Sequence, residues 1–180
     1  HSQYPNIDFI AADMGLVEAN YAVIGDQETR QDVILKDALA EVSADYAICV
    51  IDNPPDINMS VFNALACTDD VIIVTLLEPD SIEGIRKMHD QITDVQQFNP
   101  HLAIKGVLVN QYMAYPEAIE LGKEIEREGF PLFQSRISYA SPLAKRHILT
   151  AARDRKSIFE VCPHCRVARD VLRFAEELIQ

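Results

Sequence analysis

The chain reads as an α/β protein built on a parallel sheet. Three observations predict this. Short apolar runs alternate with amphipathic stretches along the sequence, the rhythm of strand–helix–strand units. The amphipathic stretches are long enough to carry helical crossovers between parallel strands. One run, Tyr46-Ala47-Ile48-Cys49-Val50-Ile51, is apolar without alternation and ends at Asp52-Asn53-Pro54-Pro55. Continuous runs suit strands covered on both faces, and the prolines stop any regular element.

The elements follow in order. Residues 7–12 read as a short strand. Residues 31–42 read as a helix, with Val33, Ile34, Ala38 and Leu39 on one face. The run over 46–51 is the second strand, 59–67 a helix and 71–74 a buried strand. Asp80 or Ser81 can cap the next helix, and Asp80 with Glu83 has capping-box spacing. Its apolar set is Ile82, Ile85, Met88, Ile92 and Val95. Residues 104–109 form a further strand. Pro116 suits a first helical turn and Gly129 the position past its end. Residues 132–137 read as the last strand, followed by helices over 142–152 and 166–179. No repeat, low-complexity tract or linker interrupts the chain, so residues 1–180 are expected to form a single α/β domain.

Composition narrows the function classes. With 180 residues and 48% hydrophobic content, the chain can bury a core, which excludes global disorder. No run approaches the roughly 20 apolar residues that span a membrane, and no secretory leader pattern opens the sequence. A cytoplasmic protein is expected. The net charge of −12 argues against nucleic-acid binding by the whole surface. The charge is uneven, however. From Arg136 to Arg173 there are nine Lys and Arg against three acids, leaving seven bases and 25 acids elsewhere. This basic third is either a solvated helical face or a phosphate-binding patch.

Cys49 and Cys67 lie in apolar segments and read as buried small hydrophobes. Cys162-Pro163-His164-Cys165 spaces two thiols for half a zinc site or a redox pair. Even with His147 or His164 the zinc set falls short of four ligands, so zinc is not expected. Redox and incidental readings stay open.

Asp52 carries the sharpest chemistry. An acid at the carboxyl end of a parallel strand lies at the ligand crevice, and in nucleoside triphosphatases such an Asp organises Mg²⁺. The alternative is an Asp that only caps a turn before two prolines.

The segment 46–55 resembles the Walker B region of ParA-type partition ATPases, an apolar strand followed by Asp-x-Pro-Pro. The order continues with Asn63-Ala64-Leu65, Thr68 to Val74, Glu78-Pro79, Ile82-Glu83-Gly84-Ile85, Asn99-Pro100 and Lys105 to Asn110. Residues 137–145 resemble the stretch before the family's penultimate helix, so the likeness runs over nearly the whole chain. It implies a P-loop NTPase-like fold and assigns Asp52 to Mg²⁺. Asn110 resembles the adenine-contacting Asn of the related MinD proteins, and its amide can both donate and accept. A turn residue at a strand end is the plain alternative. Residues 138–142, Pro142 included, resemble the loop that passes the base. Lys145, Arg146, Arg153, Arg155, Lys156, Arg166 and Arg169 resemble in location the family's basic DNA-holding surface.

One feature of the family is missing from these residues. A Walker A loop needs Gly-x-x-x-x-Gly-Lys-Ser/Thr so that backbone N–H groups and the Lys cradle phosphates. The single Gly-Lys pair, Gly122-Lys123, is followed by Glu124 and preceded at the first motif position by Glu117. The chain therefore resembles the C-terminal portion of such an ATPase domain, an incomplete sheet without the Walker A strand and helix. The resemblance implies a parent that binds ATP and Mg²⁺, dimerises around nucleotide, holds nonspecific DNA at the nucleoid and answers to a ParB-like partner. This chain alone is expected to be inactive in hydrolysis. The alternatives are a non-catalytic binding module that pairs with an intact homologue, and a MinD-like positioning ATPase.

Overall fold

The computed structural model describes residues 3–11, 15, 18, 21, 33–54 and 58–180. The chain divides into two compact units. The first comprises residues 1–69 and 95–102, the second 70–94 and 103–180.

Among the described residues the first unit includes the helices α1 (Ile34–Ala40) and α2 (Met59–Ala66), with a 3₁₀ turn at Ser43–Asp45 between them. Asn58 starts α2 because its side-chain oxygen accepts from the N–H groups of Ser60 at 3.0 Å and Val61 at 3.1 Å, two of the donors a helix start leaves unpaired. Val61, Ala64, Leu65 and Ala66 of α2 are buried. Asn63, also buried, accepts from the Leu35 N–H at 3.3 Å and ties α1 to α2. At the other end of α2, the Asn99 amide donates to the carbonyls of Leu65 at 3.0 Å and Thr68 at 2.7 Å. Phe98 meets Phe62 edge-on at 5.3 Å.

Two expected strands are not strands here. Residues 7–11 and 46–51 carry no ladder, and Ala12 lies outside the described residues. The side chains of Ile48 and Val50 are 67% and 87% exposed. A strand exists only through a paired neighbour, and among the described residues neither segment has one. The Tyr46 hydroxyl does donate to Asp8 at 2.7 Å, a side-chain link between the two segments. Cys49 is exposed and Cys67 half-buried, against the expectation of buried thiols. Cys49 lies on the unpaired segment, and Cys67 sits just past the end of α2.

The second unit holds a parallel sheet of β1 (Asp70–Thr75), β2 (Ala103–Tyr112) and β3 (Leu132–Ser138), in the order β1-β2-β3. Helices α3 (Ser81–Val95) and α4 (Pro116–Arg127) supply the crossovers. Pro116 occupies the first turn of α4, and Gly129 follows its end at φ +87°, a left-handed position that suits glycine. Central β2 buries Val107, Leu108 and Val109. Edge strand β1 differs from the expected buried strand: Ile73 is buried, but Val74 is 58% exposed, because β1 is laddered on one side only among the described residues.

Beyond β3 come α5 (Pro142–Arg153), the short α6 (Ile158–Val161) and α7 (Arg166–Leu178). Ser141 caps α5 by accepting from the Ala144 N–H at 3.2 Å. Helix α6 was not expected from periodicity. It is set by a reciprocal capping box between Ser157 and Glu160.

Helix α7 is fastened to β3 by two acids and an aromatic. The register of β2 against β3 slips between Val107 and Val109. There the Glu177 carboxylate accepts from the N–H groups of Gln134 at 2.7 Å and Ser135 at 2.8 Å. Buried Asp170 accepts from the Ser138 N–H at 3.0 Å. Between them Phe174 meets Phe133 edge-on at 5.1 Å. Phe133 in turn packs over Gly106, where an added Cβ would stand 2.7 Å from its Cε2 atom.

Gly106→Ala should therefore force the Phe133 ring to shift, and overpacking of this kind costs about 1–3 kcal/mol. Equilibrium denaturation of the variant should show that loss. Partial burial pushes the Glu177 carboxyl up, but the hydrogen bonds from Ser135 and Gln134 outweigh it and hold it below the ordinary glutamate value. A depressed folded-state value means the stabilisation is complete above the unfolded value of about 4.3 and is lost as pH falls through the folded one. Wild type should melt above Glu177→Gln near neutrality, and the gap should close as the pH drops below about 4. Melting curves of both proteins across that range measure it.

Candidate nucleotide-binding end of the sheet and basic face

The carboxyl ends of β2 and β3 lie side by side. Tyr112 pairs with Ser138, and the register slips between Val109 and Tyr112, placing an extra residue on β2. Gln111 absorbs it at φ +51°, a left-handed conformation rare for a side chain of this size. The Asn110 side-chain Oδ1 accepts from the Gln111 N–H at 2.9 Å and braces this bulge. Bulges re-aim side chains at the ends of sheets. Among the described residues the Asn110 amide nitrogen donates to no protein group, so it is available to a ligand.

The loop after β3 folds over the same end. The Tyr139 N–H donates to the Tyr112 carbonyl at 3.0 Å. The Arg136 guanidinium stands 4.7 Å over the Tyr112 ring, and the Lys145 ammonium 4.3 Å over the Tyr139 ring. Lys145 also donates to the Tyr139 hydroxyl at 2.7 Å. Pro142 is exposed in the first turn of α5. Asn110 and the 138–142 loop, both singled out from sequence, thus share one end of the sheet. The two cation–aromatic pairs beside them were not foreseen, since pairing across β2, β3 and α5 leaves no local sequence signal. The acids that fasten α7 could have been found, because Asp170, Phe174 and Glu177 recur at helical i, i+4, i+7 spacing.

Asp52 belongs to the first unit, exposed at the end of the unpaired 46–51 segment. Among the described residues no cluster of three or more His, Cys, Asp or Glu side chains could hold a metal. A single carboxylate still fits Mg²⁺, which keeps several waters and takes further ligands from substrate phosphates. Gly122 and Lys123 lie inside α4, where Lys123 pairs with Glu120 at 3.4 Å. Helical geometry rules this pair out as a phosphate loop.

The basic residues form three groups, with Lys145, Arg146 and Arg153 on α5, Arg155 and Lys156 after it, and Arg166 and Arg169 on α7. All seven are exposed. Arg153 is bound to neighbouring Asp154 at 2.7 Å, a hydrogen-bonded pair that raises the arginine and lowers the aspartate from their ordinary values. Among the described residues Arg146, Lys156, Arg166 and Arg169 make no ion pair. Cys162 and Cys165 bracket the turn between α6 and α7.

Helices crossing over a parallel sheet, with candidate ligand groups at the strand ends, define a P-loop NTPase-like protein. The family model described as an AAA domain matches residues 1–104. The sporulation initiation inhibitor protein Soj of Bacillus subtilis is 29% identical over 96% of this chain and 67% of its own length. The chromosome partitioning protein ParA of Caulobacter vibrioides is 31% identical over 62% of this chain and 42% of its own. The chain spans about a third (35%) of an uncharacterised Mycobacterium tuberculosis relative that is 33% identical. Among solved structures, apo McdA of Cyanthece superposes with a TM-score of 0.72 over 93% of this chain and 66% of that one, at 16% identity. Cobyrinic acid a,c-diamide synthase of Mycobacterium smegmatis, solved with bound ADP and magnesium, gives 0.66 over 81% and 62% at 24% identity. These two likenesses are of fold. The chain belongs to the AAA domain family of ParA/MinD-type P-loop ATPases.

Proposed function

We propose that this chain forms the Walker B side of a ParA-like partition ATPase that switches by ATP-dependent dimerisation and nonspecific DNA binding in the cytoplasm. The observation that carries the reading is the similarity to Soj along almost the entire chain. In this reading Asp52 organises Mg²⁺, Asn110 takes the adenine edge, and the 138–142 loop with Pro142 borders the base. Bound ATP brings the γ-phosphate whose contacts order the dimer, and its loss releases it. The exposed cations on α5, α7 and the turn between them neutralise DNA phosphates. A ParB-like partner stimulates the reset.

The 180 residues contain no Walker A loop, so phosphate cradling requires a segment from outside them. The purified chain should release no phosphate from ATP above background, and activity should return only in a protein that supplies the loop. Turnover by the isolated chain would overturn the assignment.

DNA retention should fall linearly with salt on logarithmic axes, because phosphate neutralisation drives it. Arg146→Glu, Arg166→Glu and Arg169→Glu together should weaken it for any sequence and lower the slope by roughly 0.9 for each phosphate no longer neutralised. Fluorescence anisotropy across a salt series reads both. An unchanged slope would leave the basic third as a solvated face.

A second reading follows from the half-open edge of β1 and the unpaired segment 46–51. The chain would then be a non-catalytic module that completes its pairing against an intact homologue. Co-purification with a homologue and no nucleotide turnover would favour it.

A further inference from the structure

The turn between α6 and α7 is closed by a hydrogen bond from the Cys165 N–H to the Cys162 carbonyl at 3.1 Å. Such a bond brings the first and fourth Cα atoms within about 7 Å, and disulfides span Cα separations of about 4.4–6.8 Å. Pro163 stands at the second position of the turn, where its fixed φ favours this geometry. Both thiols are free and half-buried, while Pro163 and His164 between them are exposed. The ends of the turn are held independently: α6 by the Ser157–Glu160 capping box and α7 by Asp170 and Glu177 on β3. The turn therefore holds the two Cα atoms at a separation a disulfide can span before any bond forms.

We propose that Cys162 and Cys165 form a reversible redox pair, oxidised to an intrachain disulfide by exchange with a low-molecular-weight disulfide of the glutathione class. One cysteine thiolate attacks a sulfur of the small disulfide, forms a mixed disulfide and expels one small thiolate. The second cysteine then gives up its proton and attacks the protein sulfur. This forms the Cys162–Cys165 bond and expels the second small thiol. The protein loses two hydrogens and the small disulfide gains them.

Burial, then a hydrogen bond to the Cys165 sulfur, pushes the Cys162 thiol up. The thiolate of either cysteine is the nucleophile, and the other thiol resolves the mixed disulfide. Closing so short a loop constrains the unfolded chain little, so a reducing thiol should reopen the bond. Among the described residues no third His, Cys, Asp or Glu joins the pair to make a metal-holding group. The proposal is independent of nucleotide or DNA binding.

Trypsin releases both residues in one peptide, residues 157–166, without Cys49 or Cys67. The native chain is exposed to oxidised glutathione, alkylated, digested and weighed. The expected result is a 157–166 peptide lighter by two hydrogens and free of alkyl groups, restored to the doubly alkylated form by dithiothreitol. Cys162→Ser and Cys165→Ser should each stop at the glutathione adduct on the cysteine that remains. A wild-type peptide that stays doubly alkylated, or carries two glutathione adducts, would overturn the pair.

Discussion

An edge strand leaves a row of backbone N–H groups that water or another chain must satisfy. In this protein β3 meets that constraint through α7. Glu177 takes the N–H groups of two consecutive residues where the ladder slips, and buried Asp170 takes a third at the end of the strand. The acids are fixed in place because Phe174 packs on Phe133 between them. A carboxylate accepting N–H bonds makes stronger hydrogen bonds than a neutral acceptor. The α7 helix is thus both a cover for the sheet and the support for Arg166 and Arg169 on its outward side.

The same packing reaches the middle of the sheet. Phe133 rests on Gly106, so β2 must carry a residue without a side chain at that level. Further along, β2 gains its extra residue at Asn110–Gln111, and the strain of a left-handed glutamine is offset by the Asn110 hydrogen bond. That bulge turns the strand end toward the loop after β3, where Tyr112, Tyr139, Arg136 and Lys145 interlock. Packing at one level and a bulge at the next together place Asn110 and the 138–142 loop at one end of the sheet.

Charge is divided along the chain in a way that suits this division of labour. The acidic residues dominate the first 135 positions, and α5 carries Lys145, Arg146 and Arg153 with no acid.

Much of the second unit was legible in the sequence. The apolar strands, Pro116 and Gly129 around α4, and the helices after β3 follow from periodicity and punctuation, which act within a few residues. The Asp52-Asn53-Pro54-Pro55 stop and the series of family-like segments carried the family assignment without any fold. What the sequence could not decide was pairing. The apolar run 46–51 has every property of a strand, yet a strand is made by its neighbour, and among the described residues it has none. Cys49 is exposed for that reason. The bulge at Asn110, the clasp of α7 on β3 and the approach of Cys165 to Cys162 likewise depend on which backbone groups are left over once the sheet has formed. Only the tertiary structure makes that accounting, because hydrogen-bond partners distant in sequence are chosen by register and packing rather than by composition.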